Sequence, residues 1–333
     1  MSASKRVALI GCGSICGNHI KGILAAGYEL CALCDILIEK AEEAAKKHAL
    51  SGVKLYADYR EMLRLEKPYA VHICTPHSLH AEMCVEALKR NVHVLCEKPL
   101  AISEEQLNAI SAAAQSSTAQ IGVCHQNRYE PNMKKLHAIA QNGVRGGFGN
   151  VVWKRDEAYY NSAAWRGTWA EEGGGVMINQ ALHTLDIMQW VCGMPNEVTA
   201  HVATDRLSDV METEDTAMAR FSCSNGVVFH FFATVAAQTD LPVLMRLRLA
   251  NGDTVEAGNT FFIQNGQVAP IPDRTDTVGK REWGIGHREL IADFYRHVAC
   301  GKRFPIDAEE GAKVVRLILA IYRSNGIKIA ITK

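Results

Sequence analysis

Hydrophobic and polar positions follow one rule up to about residue 124 and a different one beyond about residue 148. In the first stretch, short, nearly continuous apolar runs (RVALIG, YELCALCD, YAVHICTP, NVHVLCEKP, AQIGVCH) alternate with amphipathic segments such as EKAEEAAKKHA, SLHAEMCVEALKR and SEEQLNAISAAAQS. Strands that read apolar throughout, separated by helices, belong to a parallel sheet covered on both faces. The expectation is a doubly wound α/β domain over residues 1–124. In the second stretch three Asn-Gly pairs appear, at Asn225-Gly226, Asn251-Gly252 and Asn265-Gly266, each between strand-like runs. Asn-Gly suits a two-residue hairpin because both positions tolerate positive φ. Residues 125–333 are therefore expected to form an α+β domain with a mainly antiparallel sheet. One helix from Gly175 to Cys192 and two more, near 285–300 and 307–324, are expected to pack on it.

Within that first helix, Asn179, His183 and Asp186 interrupt an otherwise apolar run. Their spacing of four and three residues predicts one narrow helical face carrying an amide, an imidazole and a carboxylate.

Length and composition then narrow the class. A chain of 333 residues predicts two domains. Formal net charge is zero, which argues against nucleic acid or an anionic membrane as partner. No apolar run is long enough to span a bilayer. The N-terminus enters a strand-like run without a secretory pattern, and the eleven cysteines sit in apolar segments, so a reducing, cytoplasmic location is expected. Cys31 and Cys34 make a C-x-x-C, but no second pair or histidine cluster accompanies them. They are expected to be strand residues, with no metal.

Candidate chemistry gathers at predicted strand ends. The first strand runs into GCGSICGNH, where Gly11 and Gly13 occupy the first two glycine positions of G-x-G-x-x-G and Cys16 the third. Such a turn lets bare backbone approach a pyrophosphate at a helix N-terminus, so Gly11, Gly13, Ser14 and Ile15 are candidate cofactor contacts. The second strand ends at Asp35, whose carboxylate suits two ribose hydroxyls and repels a 2′-phosphate, favouring NAD over NADP. CTPHSLH places Thr75, Pro76 and His80 at another strand end, and CEKP places Glu97 and Lys98 there too. Ligands of open α/β sheets bind outside those ends. Pro99 holds Lys98 extended, which presents its side chain. Gln126, just past the last parallel strand, joins the cofactor candidates.

With these motifs in hand, the chain resembles the glucose–fructose oxidoreductase/inositol dehydrogenase (Gfo/Idh/MocA) family. The match rests on GCGSICGNH, Asp35, CTPHSLH, the EKP triplet at 97–99 and GGG-x-x-x-N-Q-x-x-H-x-x-D from Gly173, in order along essentially the full length. The resemblance implies a Rossmann domain followed by an α+β domain with a large open-faced sheet. It also implies NAD(P)-dependent hydride transfer at a secondary alcohol of a sugar, sugar derivative or cyclitol. In family terms Lys98 and His183 are the catalytic pair, His183 as general base and Lys98 assisting at the same oxygen. Many members have Asp where this chain has Asn179 and Gly where it has Ala181, which looks more like the subset acting on pyranoses or glycosides than on inositol. Cyclitol dehydrogenase, keto-sugar reductase and a non-enzymatic dinucleotide-binding regulator are the alternatives. A hydrolase that retains NAD and oxidises its substrate transiently is another.

Further substrate contacts are expected from Trp165 and Arg166 in YYNSAAWRGTW, from Tyr129 in HQNRYEP, from His287 at the end of WGIGH, and from Asn179 and Asp186. A homodimer or homotetramer is expected through an exposed apolar face of the second sheet.

Overall fold

The computed structural model describes residues 5–270 and 285–331. The chain divides into two units: Met1–Tyr129 with Arg274–Ala312, and Glu130–Asp273 with Lys313–Lys333. In the first, β1 (Arg6–Ile10), β2 (Glu29–Cys34), β3 (Lys54–Tyr56), β4 (Ala70–Ile73), β5 (His93–Cys96) and β6 (Ile121–Val123) form an all-parallel sheet. Its order is β3-β2-β1-β4-β5-β6. Val7, Ala8, Leu9, Val71 and Val94 are wholly buried, which is why these strands read as continuous apolar runs. The crossovers hold α1 (Cys16–Ala25), α2 (Ile38–Lys47), α3 (Tyr59–Glu66), α4 (His80–Lys89) and α5 (Glu104–Gln115). Strand order reverses between β1 and β4, which marks the ligand-binding edge of such sheets. Asp58 caps α3 and Ser103 caps α5, whereas α1 has neither a side-chain cap nor an acid in its first turn. Its N-terminus is left suited to an anion.

The second unit holds α6 (Pro131–Ala140), β7 (Val144–Val152), α7 (Glu157–Tyr160), α8 (Val176–Asn179) and α9 (Leu182–Cys192). These are followed by β8 (Glu197–Ala203), β9 (Thr216–Ser222), β10 (Val228–Thr234), β11 (Leu244–Leu249), β12 (Thr254–Ala257), β13 (Phe262–Gln264), β14 (Gln267–Val268) and, near the end, β15 (Ile329–Ala330). The nine strands are ordered β14-β13-β12-β11-β7-β10-β9-β8-β15, antiparallel except for the parallel β7–β10 pair. Helix α9 packs on β7. A Cβ at Gly147 or Gly149 would lie 3.0 or 2.9 Å from Met188, so glycine in this strand admits the helix. Of the three Asn-Gly pairs, only Asn265-Gly266 makes the two-residue hairpin, with φ of 49° and 78°. At the other two the loop is longer and only the glycine has positive φ.

Three expectations are corrected here. The helix from Gly175 to Cys192 is two helices: Ala181 N bonds back to Val176 O at 2.8 Å, a wider loop than a helical step, and α9 restarts beyond it. Asn179 and His183 therefore do not share one continuous helix. The helix expected near 285–300, α10 (Gly286–Ala299), belongs to the first unit and not to the second sheet. It packs on α1 at Gly22, where a Cβ would meet Ile291 Cδ1 at 2.4 Å, and the Tyr295 ring stacks on Tyr28 at 3.9 Å. The last helix, α11 (Ala308–Ser324), begins in one unit and ends in the other. Finally, the uncovered face of the second sheet is mixed rather than wholly apolar: Met218, Phe232, Asn150 and Leu244 form one row in register across it, beside a second row that is mostly polar. Arg220, His230, Phe148, Arg246 and Glu256 face one another in register across β9, β10, β7, β11 and β12. Among the described residues no helix is long and apolar enough to cross a membrane.

Candidate active site

The glycine turn is built for close approach. Gly11 has φ +91°, and a Cβ there would lie 2.6 Å from the backbone of Cys74. Gly13 and Ser14 are exposed, and a Cβ at Gly13 would meet nothing within 4 Å. Half-buried Asp35 accepts Cys12 N at 2.9 Å and Leu37 N at 3.0 Å, which pins the turn to the end of β2. An uncapped helix start, bare backbone and a fixed carboxylate together fit a dinucleotide. Thr75 and Pro76 are half-buried at the end of β4, and Ile15 is half-buried beside the turn. Cys31 and Cys34 are buried, and burial pushes their thiols up to about 11 and about 12, as inert strand residues require.

Not every predicted cofactor residue is presented to solvent. His80 is wholly buried, its ring nitrogens 2.6 Å from Pro99 O and 2.8 Å from Thr75 O. It ties one strand end to the next and has no surface to offer a ligand. Gln126 is also buried. Glu97 lies in a sealed network: Oε1 receives His19 Nε2 at 2.9 Å and His287 Nε2 at 3.0 Å, and Oε2 accepts Lys98 N at 3.1 Å. His19 Nδ1 lies 2.7 Å from His72 Nδ1, and His72 Nε2 lies 2.8 Å from Tyr295 OH. Burial works against the Glu97 carboxylate, but the two imidazoles outweigh it and hold its pKa well below the ordinary value. Burial also lowers the pKa of His19 and His72. The ligand atoms of His19, Glu97 and His287 lie within 4.8 Å of one another, close enough to share a cation.

His287, expected at the substrate, is thus a buried partner of Glu97; Trp283 and Gly284 of the same motif lie outside the described residues. Tyr129 likewise donates its hydroxyl to Asp293 Oδ2 at 2.6 Å, and burial with that carboxylate pushes its pKa up. Lys98 remains half-buried at the end of β5, and its peptide bond to Pro99 is cis.

In the second unit, a polar corner forms around Tyr159. Its hydroxyl accepts from Arg166 and from Gln180 Nε2 at 3.1 Å, and Asn179 Nδ2 lies 3.4 Å away. Arg166 sits over the rings of Tyr159 and Trp165 at 4.2 and 4.8 Å. Buried Glu172 accepts from Asn179 Nδ2 and from Gly167 N. The Asn179 amide donor is therefore directed by a carboxylate from the preceding turn. Deeper, Glu214 accepts Gly175 N at 2.9 Å, Met177 N at 3.0 Å and Tyr322 OH at 3.0 Å. Burial outweighs these bonds and raises its pKa to about 7. His183 is half-buried, whereas Asp186 is 1% exposed, so Asp186 is a core group and does not line an open face. Glu172, Tyr159 and Glu214, which organise this corner, were not among the residues singled out from sequence. Tyr159 opens the aromatic loop and Glu172 follows it, but nothing in spacing couples Glu214 to the glycines it holds.

Residues 5–125 match the oxidoreductase family with an NAD-binding Rossmann fold, and residues 133–255 match the GFO/IDH/MocA C-terminal domain. The chain is 25% identical to the D-glucoside 3-dehydrogenase of Escherichia coli strain K12, over 97% of this chain and 96% of that one. It is 29% identical to the inositol 2-dehydrogenase of Salmonella typhimurium over 56% of this chain and 54% of that one. Among solved structures it is similar to the WlbA dehydrogenase of Bordetella pertussis in complex with NADH and UDP-GlcNAcA, with 27% identity, TM-score 0.85 and 99% of each chain covered. A Rossmann unit for NAD followed by this C-terminal domain makes the chain a member of the Gfo/Idh/MocA family, an NAD-dependent oxidoreductase of the sugar and inositol type that acts on CH–OH groups.

Proposed function

We propose that the chain oxidises a secondary alcohol of a pyranose or glycoside, with His183 as the proton acceptor and Lys98 as the cation at the same oxygen. The observation that carries this is accessibility. Lys98 and His183 are half-buried, while His19, His72 and His80 are sealed completely. NAD, held by the glycine turn and Asp35, supplies the hydride acceptor. Removing hydride from a carbinol carbon also requires loss of the hydroxyl proton, and an imidazole that titrates near neutrality is suited to take it. The Lys98 ammonium stabilises the developing alkoxide. Arg166 and Tyr159 offer an aromatic face and donors to sugar hydroxyls, and Asn179, directed by Glu172, orients one of them. Full-length similarity to a D-glucoside 3-dehydrogenase supports a glycoside.

A second reading, a uronate sugar, is favoured by the paired cations: Arg155 and Arg166 both lie over the Tyr159 ring, at 5.4 and 4.2 Å. Similarity to an enzyme crystallised with UDP-GlcNAcA supports it. An NAD-reduction screen over pyranoses, methyl glycosides, uronates, UDP-sugars and inositols separates the two. Turnover confined to inositols would sink both. A homo-oligomer joined through the uncovered sheet face is also proposed, with the cross-strand row from Arg220 to Glu256 in the contact.

A further inference from the structure

We propose that Glu97 is a positioning residue for Lys98, anchored by a one-way chain of hydrogen bonds from Tyr295 through His72 and His19. The proposal rests on the reading of Lys98 as the substrate cation.

The direction of the chain follows from counting protons. An ionised carboxylate can only accept, so both imidazoles at Glu97 Oε1 must carry hydrogen on Nε2. His19 is wholly buried, which favours its uncharged ring, so with Nε2 protonated its Nδ1 is bare. His72 Nδ1, 2.7 Å away, must then be the donor. Burial favours the uncharged ring of His72 as well, which leaves its Nε2 bare to accept the Tyr295 hydroxyl at 2.8 Å. Burial raises the Tyr295 phenol, which keeps its proton for this bond. Each link permits one tautomer. The arrangement runs from α10 through β4 and α1 to the residue preceding Lys98.

At its end the carboxylate has no rotational freedom. Oε1 is held by α1 and α10, and Oε2 by the Lys98 amide at 3.1 Å. A swing of Glu97 would carry the Lys98 main chain with it. A buried carboxylate with two imidazoles is costly and replaceable by apolar packing if stability alone were served. Here it joins the main chain of the residue that carries the proposed cation.

Glu97→Gln tests the idea, because the amide oxygen can still accept from the imidazoles while its NH2 group meets the Lys98 N–H donor to donor. With the best substrate from the screen, kcat should fall about a hundredfold, the loss that follows when a reacting group moves by about an ångström. KM and the NADH dissociation constant should stay within about threefold, and Glu97→Asp should recover part of the loss, whereas a merely structural role would move binding and stability together. His287→Gln, which keeps a side-chain N–H donor, should retain more turnover than His287→Leu, and this pair serves if Glu97→Gln does not fold.

Independently of turnover, nitrogen NMR of the histidine-labelled full chain with NADH should show His19 protonated on Nε2 only and His72 on Nδ1 only. The reverse tautomers, or zinc bound at His19, Glu97 and His287 in the purified protein, would overturn the proposal. If Lys98→Ala is inactive but Glu97→Gln turns over normally, the positioning role alone is wrong. If Lys98→Ala stays active, the catalytic reading itself fails and this proposal falls with it.

Discussion

The two units organise their polar groups in opposite ways. In the first, the carboxylate that precedes Lys98 is buried and held by imidazoles from α1 and α10, with a further imidazole from β4 and a phenol from α10 behind them. In the second, the corner around Tyr159 is a loop arrangement: Arg166, Glu172, Asn179 and Gln180 all lie within about two dozen residues of it, and Trp165 and Arg166 remain partly open to solvent. A cofactor is one fixed molecule, and a closed network holds its neighbourhood rigid. Sugars differ in where their hydroxyls sit, and a half-open loop of aromatic, guanidinium and amide groups can be re-tuned without disturbing the scaffold. On the proposed reading, that division lets one fold serve different sugars.

The sharpest way to break the comparison is to remove the proposed reacting groups from each side. Lys98→Ala and His183→Ala should each lose about a thousandfold in turnover, within the range for a positioned acid or base, while still quenching NADH fluorescence on binding. Retained turnover in either removes that residue from the mechanism. Next in size, Asp35→Ala should weaken NAD about tenfold and relax discrimination against NADP, as removal of one charge-assisted contact predicts. An unchanged NAD/NADP preference would mean the ribose is held elsewhere.

On the substrate side, Glu172→Ala should raise KM for the sugar about tenfold and leave NADH affinity alone, because it releases the Asn179 amide and strands Gly167 N. Equal effects on both ligands would show that the two regions are not separable in this way.

Smaller is a pH effect confined to the second unit. The Glu214 pKa is raised from 4.5 to about 7, so the folded state favours its neutral form. That contribution to stability is complete below about 4.5 and is lost as pH rises through about 7. Glu214→Gln should remove this downward slope from the midpoint of thermal unfolding measured between those values. Parallel curves for wild type and variant would contradict it. Least disruptive is thiol titration. Cys300 is exposed and the other ten cysteines are buried, so a native chain should react rapidly at one thiol and Cys300→Ser at none. Several fast-reacting thiols would mean the first unit opens more readily than its packing implies.

Much of the fold was legible because both periodicities are local. Continuous apolar strands betrayed the parallel sheet, and alternation such as that of β9 and β11 betrayed the antiparallel one. The positions of the glycine turn, Asp35 and Lys98 were legible for the same reason, since each lies just past the end of a strand. What misled was periodicity taken too far. Asn179, His183 and Asp186 keep helical spacing, but the break at Ala181 and the burial of Asp186 separate them.

Sequence alone therefore settled the two-part architecture, the NAD cofactor and the family, because each depends on residue types at short, fixed spacings. Tertiary structure alone decided that His287 and His80 are spent in the interior, that α10 belongs with the nucleotide unit, and that Glu97 joins histidines from α1 and α10. Which donor meets which acceptor across hundreds of residues depends on how helices and strands pack, and no local pattern encodes it.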